Sequence, residues 1–190
     1  MENDLEKVYQ KRIEAFKKDL QGVKKKSKSL ELSRLVIFLL TAVLLVYAFY
    51  VETYMLLLPT IPLGLLFFSL VAKHSRIKER IKYYQNIILV NEKAVLRLKG
   101  EWNTFKEVGE EFIDLEHPYT TDLNIFGQGS LLQFLNATTT FMGLESLADK
   151  LKGNNSFEEI VPRAESIKEL AIDLDWRQSF QALGMGSNSN

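Results

Sequence analysis

Few residues of this 190-residue chain combine the types and spacing that catalysis requires. The chain has no cysteine, so it lacks a thiol nucleophile, a thiolate metal ligand and a disulfide framework. Its two histidines, His74 and His117, are not spaced as paired metal ligands, and no plausible Ser/His/Asp set accompanies them. We therefore expect no catalytic residue and no metal site in this chain.

Phosphate-binding motifs are equally scarce. The sequence has no Gly-x-x-x-x-Gly-Lys-Ser/Thr loop, so we expect that the chain alone does not hydrolyse ATP and binds no cofactor. The segment Gly127-Gln128-Gly129 precedes a predicted helix, whose free N–H groups could meet an anion, but a turn is the favoured interpretation. Asp173 and Asp175 could hold a cation, although two acids before a helix are more typical of helix capping.

Two uncharged runs, residues 35–51 and 53–72, are separated only by Glu52. At ~1.5 Å per helical residue, the first run gives ~26 Å against a hydrocarbon core of ~30 Å. The runs therefore predict a two-helix transmembrane hairpin, with a kink in the second run. Prolines and glycine predict that kink: Pro59, Pro62 and Gly64. Tyrosines favour the outer interface at the turn: Tyr47, Tyr50 and Tyr54.

Basic residues bracket the two runs and are expected to contact lipid headgroups. This lipid-headgroup collar consists of Lys24, Lys25, Lys26, Arg34, Lys73 and Arg76. Further cations beside it are Lys28, Lys78, Arg80 and Lys82. Because positive charge stays on the inner side, the sequence predicts a multi-pass protein of the cytoplasmic (inner) membrane with both termini in the cytoplasm.

Helix-period apolar stripes lie on either side of the hairpin. The first consists of Leu5, Tyr9, Ile13, Phe16, Leu20 and Val23, and the second of Ile77, Ile81, Tyr84, Ile88, Asn91, Val95 and Leu98. They predict an antiparallel coiled-coil stalk that continues the hairpin. Alternatively, each stripe packs against a globular body, or the first segment is loose beyond Gly22. Asn91 either fixes the register of the seam or lies on a solvated face.

The C-terminal part is predicted to be a small cytoplasmic helical domain, which makes the whole chain all-α. Helix-capping pairs are Ser130 with Gln133, Ser156 with Glu159, and Asp175 with Gln178. Pro118 predicts a loop around residues 112–119. The expected division is 1–34 N-terminal helix, 35–72 hairpin, 73–108 basic flank and heptad helix, 109–183 helical domain and 184–190 disordered tail.

One stretch of that domain has a distinctive order of motifs. A short helix beginning Ser130-Leu131-Leu132 leads into the turn Asn136-Ala137-Thr138-Thr139-Thr140-Phe141-Met142-Gly143, and a second helix ends near Leu151. Together with residues 160–170, this order resembles the core, or lever, region of MutS-family mismatch-repair ATPases. His117-Pro118-Tyr119 and Asp175-Trp176-Arg177-Gln178 are similar to a membrane-anchored bacterial branch of that family.

The resemblance covers residues 112–183 and implies a lever that transmits nucleotide state from an ATPase domain absent from this chain. The chain is then a truncated or split family member, and ATP and Mg²⁺ are implied only for the missing ATPase. The residues expected to shape the interhelix turn are Ser130, Thr138, Thr140 and Gly143. DNA enters as a partner only through the family, because residues 101–190 carry a net charge of −9 and would repel it.

An alternative function follows from the same charges. A membrane scaffold could use the coiled-coil stalk to present an acidic helical bundle to a protein partner or to a second copy in a homodimer. The predicted partners are therefore membrane lipid together with a protein.

Overall fold

The structure, a computed structural model, describes residues 2–52, 54–153 and 156–187. Throughout these residues the chain is helical or irregular and has no β-strand, which confirms the predicted all-α class. The six α-helices found there are α1 (Glu2–Tyr50), α2 (Thr60–Leu98), α3 (Leu131–Leu135), α4 (Phe141–Leu151), α5 (Phe157–Ile172) and α6 (Leu174–Ser187).

The chain divides into two units. The head unit comprises Met1–Phe16 and Gln85–Asn190, and the apolar unit comprises Lys17–Tyr84. Both α1 and α2 therefore contribute residues to each unit.

Helix α1 is continuous from Glu2 to Tyr50. It passes through Gly22 and the Lys24–Lys28 cations, where the alternative interpretation expected a loose segment. Among the described residues, α1 is the one helix long and apolar enough to cross a membrane, and 6% of its most apolar 18-residue window is buried. Almost all of this apolar window is therefore exposed.

The second apolar run is not one continuous helix. Tyr54–Leu57 forms a 3₁₀ turn, and α2 begins only at Thr60, immediately after Pro59. Proline disfavours helical backbone in the residue before it, so Pro59 sets a helix boundary where a kink within a helix was expected. Pro62 lies in the first turn of α2, where its missing N–H would have no helical partner in any case.

Within the apolar unit, two contacts join α1 to α2. His74 Nε2 lies 3.7 Å from Glu31 Oε1, and the guanidinium of Arg34 lies 5.8 Å from the ring centre of Phe67. Arg34 follows Glu31 in α1, whereas its partner Phe67 precedes His74 in α2. These segments of α1 and α2 therefore run antiparallel.

The head unit has a hydrophobic core built by α3, α4 and the irregular segment before them. Its buried residues are Ile125, Phe126, Leu132 and Ala148, with Phe112, Tyr119, Leu144, Leu147 and Leu151 packed around them. The segment 113–119 is non-helical, as predicted, and Tyr119 donates a hydrogen bond from its hydroxyl to the carbonyl of Leu151 at 3.3 Å. Aromatic side chains therefore fix a loop that has no regular backbone pattern.

Of the three predicted capping residues, one makes a side-chain cap bond. Ser130 caps α3, since its hydroxyl accepts a hydrogen bond from Gln133 N at 3.2 Å. Ser156 occupies the cap position of α5 without a side-chain cap bond. The prediction of Asp175 as a cap is wrong: α6 begins at Leu174, and Asp173 accepts the bond from Trp176 N at 2.9 Å.

One expectation about α6 is also corrected, and α5 contains a proline. Pro162 is the sixth residue of α5, beyond its first turn. Gly184–Ser187 belong to α6, not to a disordered tail; residues 188–190 lie outside the described part. A Cβ at Gly184 would overlap Thr139 Oγ1, so glycine lets this end of α6 pack closely against the rest of the head unit.

Two glycines with matched backbones test how tightly this core is packed. Gly100 and Gly109 each precede a 3₁₀ turn, with φ of 77° and 72°. A Cβ at Gly109 would lie 2.9 Å from Leu132 Cδ2, whereas a Cβ at Gly100 would meet nothing within 4 Å.

Both alanine variants should lose about 1 kcal/mol of unfolding free energy to the left-handed backbone. Gly109→Ala should lose roughly 1 kcal/mol more through overlap with the core. Urea unfolding followed by the fluorescence of Trp102 and Trp176, the two tryptophans of the chain, measures the difference. Equal losses for the two variants would contradict the packing of Leu132 against Gly109.

Candidate functional site

The segment Asn136–Gly143 leads from the end of α3 into the first three residues of α4. We call it the threonine turn, and its own side chains hold it in place. Asn136 Oδ1 accepts hydrogen bonds from Thr138 N at 2.9 Å and from Thr138 Oγ1 at 2.7 Å. Thr140 caps α4, because its Oγ1 accepts a bond from Gly143 N at 3.1 Å. Three of the four residues singled out by sequence, Thr138, Thr140 and Gly143, therefore meet here.

Gly143 has a steric reason to be small. A Cβ at this position would lie 3.1 Å from Thr140 Oγ1 and 3.4 Å from Thr138 Cβ. Ser130, the fourth singled-out residue, is fully buried at the other end of α3 as its cap.

Gln133 ties α3 to the segment that follows α2. Its side chain is fully buried, and Nε2 donates to the carbonyls of Asn103 at 3.1 Å and Phe105 at 2.6 Å. Its Oε1 accepts a bond from Gly129 N at 2.8 Å. Every polar atom of this buried amide is therefore engaged, as burial in a core requires.

Arg97, in the last turn of α2, holds the start of the threonine turn. Its Nε donates to the Phe134 carbonyl at 3.1 Å, and a terminal nitrogen donates to the Asn136 carbonyl. The guanidinium also lies 5.0 Å from the ring centre of Phe105. Burial lowers the pKa of Arg97 below its ordinary value, and the nearby Tyr9 acts in the opposite direction. The group still carries its charge at neutral pH.

A second connection, which we call the amide joint, links α2 to α6 through Asn91 and Gln178. Asn91 Nδ2 donates to Gln178 Oε1 at 3.0 Å, and Gln178 Nε2 donates to Asn91 Oδ1 at 2.8 Å. Asn91 is 0% and Gln178 3% exposed. Arg12 of α1 donates from Nε to Gln178 Oε1 at 2.9 Å and pairs with Asp175. Three helices therefore meet at this joint.

Asn91 corrects the sequence interpretation in two ways. Its complete burial excludes the solvated-face alternative. Its side-chain partner is Gln178 on α6, far along the chain, and not a residue of the facing apolar stripe. The polar residue in the seam thus orients α6 on α2.

A cavity of about 270 Å³ adjoins the amide joint. Polar side chains on its wall belong to Tyr9, Arg97, Arg177, Gln178 and Gln181. Arg177 Nε is buried and has no hydrogen-bond partner, although a terminal nitrogen donates to the Ala171 carbonyl at 3.2 Å. The wall offers hydrogen-bond donors but no pair of groups arranged for acid–base or nucleophilic chemistry.

The segments considered for chemistry have structural partners. His117 Nε2 lies 3.2 Å from the Lys152 carbonyl, and its ring meets Tyr119 edge-on. The glycine segment is a turn, closed by Ser130 N, which donates to the Gly127 carbonyl at 3.3 Å, and Gln128 Nε2 donates to the Asn103 carbonyl at 2.6 Å. Asp173 caps α6 and Asp175 pairs with Arg12. Within residues 2–52, 54–153 and 156–187, no group of three or more His, Cys, Asp or Glu could hold a metal ion.

The predicted collar residues differ in exposure. Lys24, Lys25, Lys26, Lys73 and Arg76 are exposed, as headgroup contacts require. Arg34 is half-buried, and its Nε is buried without a hydrogen-bond partner.

Sequence reasoning did not identify Gln178, Arg12 or Arg97 as connecting residues. One signal was available: an asparagine within an otherwise apolar seam requires a partner if it is buried. The identity of that partner could not be read from spacing, since 87 positions separate Asn91 from Gln178.

Comparisons of the chain with protein-family models, with curated proteins and with solved structures find no match. Function is therefore inferred from the geometry above and from the residues that carry the MutS resemblance.

A double-mutant cycle at the amide joint tests the reciprocal pair. Asn91→Leu or Gln178→Leu alone leaves part of a buried amide without its partner and should cost about 1–3 kcal/mol of unfolding free energy. The double variant should cost less than the sum of the two, with a coupling of about 1 kcal/mol or more. Urea titrations of the four proteins provide the measurement. Strictly additive losses would show that the two amides do not interact.

Proposed function

We propose that this chain is the membrane-anchored lever module of a MutS-like, ATP-driven machine of the mismatch-repair type. Its ATPase would lie outside residues 1–190, on the same polypeptide or on another one. The observation that carries the proposal is the double attachment of the MutS-like segment to α2. Arg97 binds the carbonyl of Asn136 at the start of the threonine turn and Asn91 binds Gln178 of α6, so two points of that segment are fixed to one helix.

A lever must move as one body, and polar contacts can provide that rigidity. The Asn91–Gln178 attachment is buried, so breaking it would leave unpaired polar groups inside the protein, whereas the Arg97 attachment is partly exposed. A displacement of the threonine turn or of α6 is therefore passed to α2. The capped turn at Thr138, Thr140 and Gly143 supports the same proposal, because it fixes the angle at which α4 leaves α3.

The anchor in this proposal is a two-pass hairpin in the cytoplasmic membrane. The uncharged run 35–51 lies in α1 as far as Tyr50, and the return would use 53–72, including the start of α2. The antiparallel contacts Glu31–His74 and Arg34–Phe67 support such a return. The collar cations would keep both termini, and an antiparallel stalk formed by the apolar stripes, on the cytoplasmic side.

ATP, Mg²⁺ and mismatched DNA belong, in this proposal, to the other parts of the machine. Residues 101–190 carry a net charge of −9, which opposes direct contact with a phosphate backbone.

The absence of native cysteine makes the proposed topology directly testable with single-cysteine variants. In intact cells, a membrane-impermeant maleimide should label Glu52→Cys and spare Lys25→Cys and Lys106→Cys, two exposed positions on the cytoplasmic side of the proposal. All three should react after the membrane is permeabilised. Labelling of Lys25→Cys from outside, or equal labelling of all three in intact cells, would exclude the two-pass anchor.

Nucleotide dependence tests the lever itself. Tagged full-length chain, purified from its native membranes, should retain a bound ATPase. The amount of ATPase that stays bound should differ between ATP and ADP. Thr140→Ala removes the cap of α4 and should reduce this nucleotide dependence several-fold. Ser156→Ala is the matched control, since Ser156 is a cap residue without a side-chain cap bond. Binding of the ATPase that is the same with ATP and with ADP argues against the lever. The same nucleotide dependence in the two variants would also argue against it.

A second candidate function, a scaffold that binds a protein partner or a second copy of the chain, is favoured by the surface of α5. None of its residues is buried, and apolar side chains remain open, with Phe157 82% and Ile172 87% exposed. Acidic residues Glu158, Glu159, Glu165 and Glu169 lie on the same helix. Capture of a basic partner that weakens as salt rises and is indifferent to ATP would identify the scaffold over the lever.

A further inference from the structure

A cavity of about 520 Å³ lies within the apolar unit, where the uncharged runs meet the basic collar. Its apolar wall is formed by Leu35, Phe38 and Phe67. Its ionisable wall is formed by Glu31, Arg34, His74 and Lys78. A cavity with one apolar wall and one cationic wall matches a molecule that has an acyl chain and a charged head group.

Two of the residues that line this cavity carry a polar atom without a hydrogen-bond partner. His74 has a side chain only 8% exposed, and its Nδ1 makes no hydrogen bond. Arg34 Nε is likewise buried and without an acceptor. Buried polar groups in proteins are almost always paired, so these two residues have unused hydrogen-bonding capacity next to the cavity.

The geometry favours an anion as that ligand. Arg34 and Lys78 bring two positive charges, and Glu31 is the one carboxylate among the residues named above. Glu31 is itself engaged, since it lies 3.7 Å from His74 Nε2 and accepts a hydrogen bond from Ser27 Oγ at 3.4 Å. The Arg34 guanidinium lies 5.8 Å from the ring centre of Phe67, and its fork of donors suits phosphate oxygens.

We propose that this cavity binds an anionic phospholipid, with the phosphate at Arg34 and Lys78 and the acyl chain along Leu35, Phe38 and Phe67. The proposal rests on the membrane anchoring proposed above and adds a defined site to the diffuse headgroup collar. The apolar wall selects a lipid over a free phosphate, because a soluble anion would leave that wall in contact with water.

The test compares lipid selectivity in reconstituted full-length protein. Vesicles of phosphatidylcholine with a minor fraction of phosphatidylglycerol contain spin-labelled versions of either lipid, and electron paramagnetic resonance measures the share of each held by the protein. The wild-type chain should prefer phosphatidylglycerol about fivefold or more. Arg34→Gln with Lys78→Gln should bring the preference close to one.

The matched control is Lys24→Gln with Lys73→Gln, which removes the same charge from exposed collar positions that do not line the cavity. It should keep most of the preference. An equal loss of the phosphatidylglycerol preference in the two double variants would show that the preference comes from the overall positive charge of the collar. That result would overturn the site. Circular dichroism of both variants verifies that their helix content matches the wild type.

Inorganic phosphate, added at a concentration matched to the lipid, tests whether the cavity binds free phosphate or the phosphate of a lipid head group. It should leave the phosphatidylglycerol signal unchanged, and displacement of the lipid would overturn the lipid assignment. Vesicle flotation distinguishes the two proposals: protein that floats without lipid preference contradicts only the site. Protein that does not float contradicts the anchoring and the site together.

Discussion

The reciprocal hydrogen bonds between Asn91 and Gln178 set the arrangement of the head unit. Neither amide can form its hydrogen bonds with water instead, since Asn91 is completely buried and Gln178 nearly so. Each can satisfy its donors and acceptors only when α6 lies at one position along α2 and at one rotation about its own axis. Apolar contacts alone would tolerate sliding between the helices, whereas this pair admits one register. The placement of Arg12 and of the cavity wall at Gln178 follows from it.

Local features of the fold were predictable because they depend on near neighbours. The cap at Ser130, the irregular segment after Phe112 and the all-α class all come from spacing over a few residues. A kink was predicted within the second uncharged run because Pro59 was interpreted as lying inside a helix, whereas its effect on the preceding residue sets a helix boundary there. The helical Gly184–Ser187 was missed because close packing on Thr139 outweighs the poor helix propensity of glycine.

The candidate site was less predictable than the fold. Sequence identified Thr138, Thr140 and Gly143, whose interactions are local, and noticed Asn91 as an anomaly in its stripe. Its partner Gln178 and the double contact of Arg97 depend on how the chain returns to α2, which no local pattern contains. In the apolar unit, the collar was evident from charge, but the inward position of Arg34 and His74 appeared only with the packing of α1 against α2.

Helix α5 has a consequence for the dynamics of the head unit. Sixteen residues is close to the length at which an unsupported helix is only marginally stable in water, and Pro162 removes one of its backbone hydrogen bonds. With no buried side chain, α5 gains little from the rest of the protein, so its amide hydrogens exchange with solvent more readily than those of α4, which buries Ala148 in the core. A molecule that covers its open apolar side chains would slow that exchange, and part of its affinity would be spent on ordering the helix.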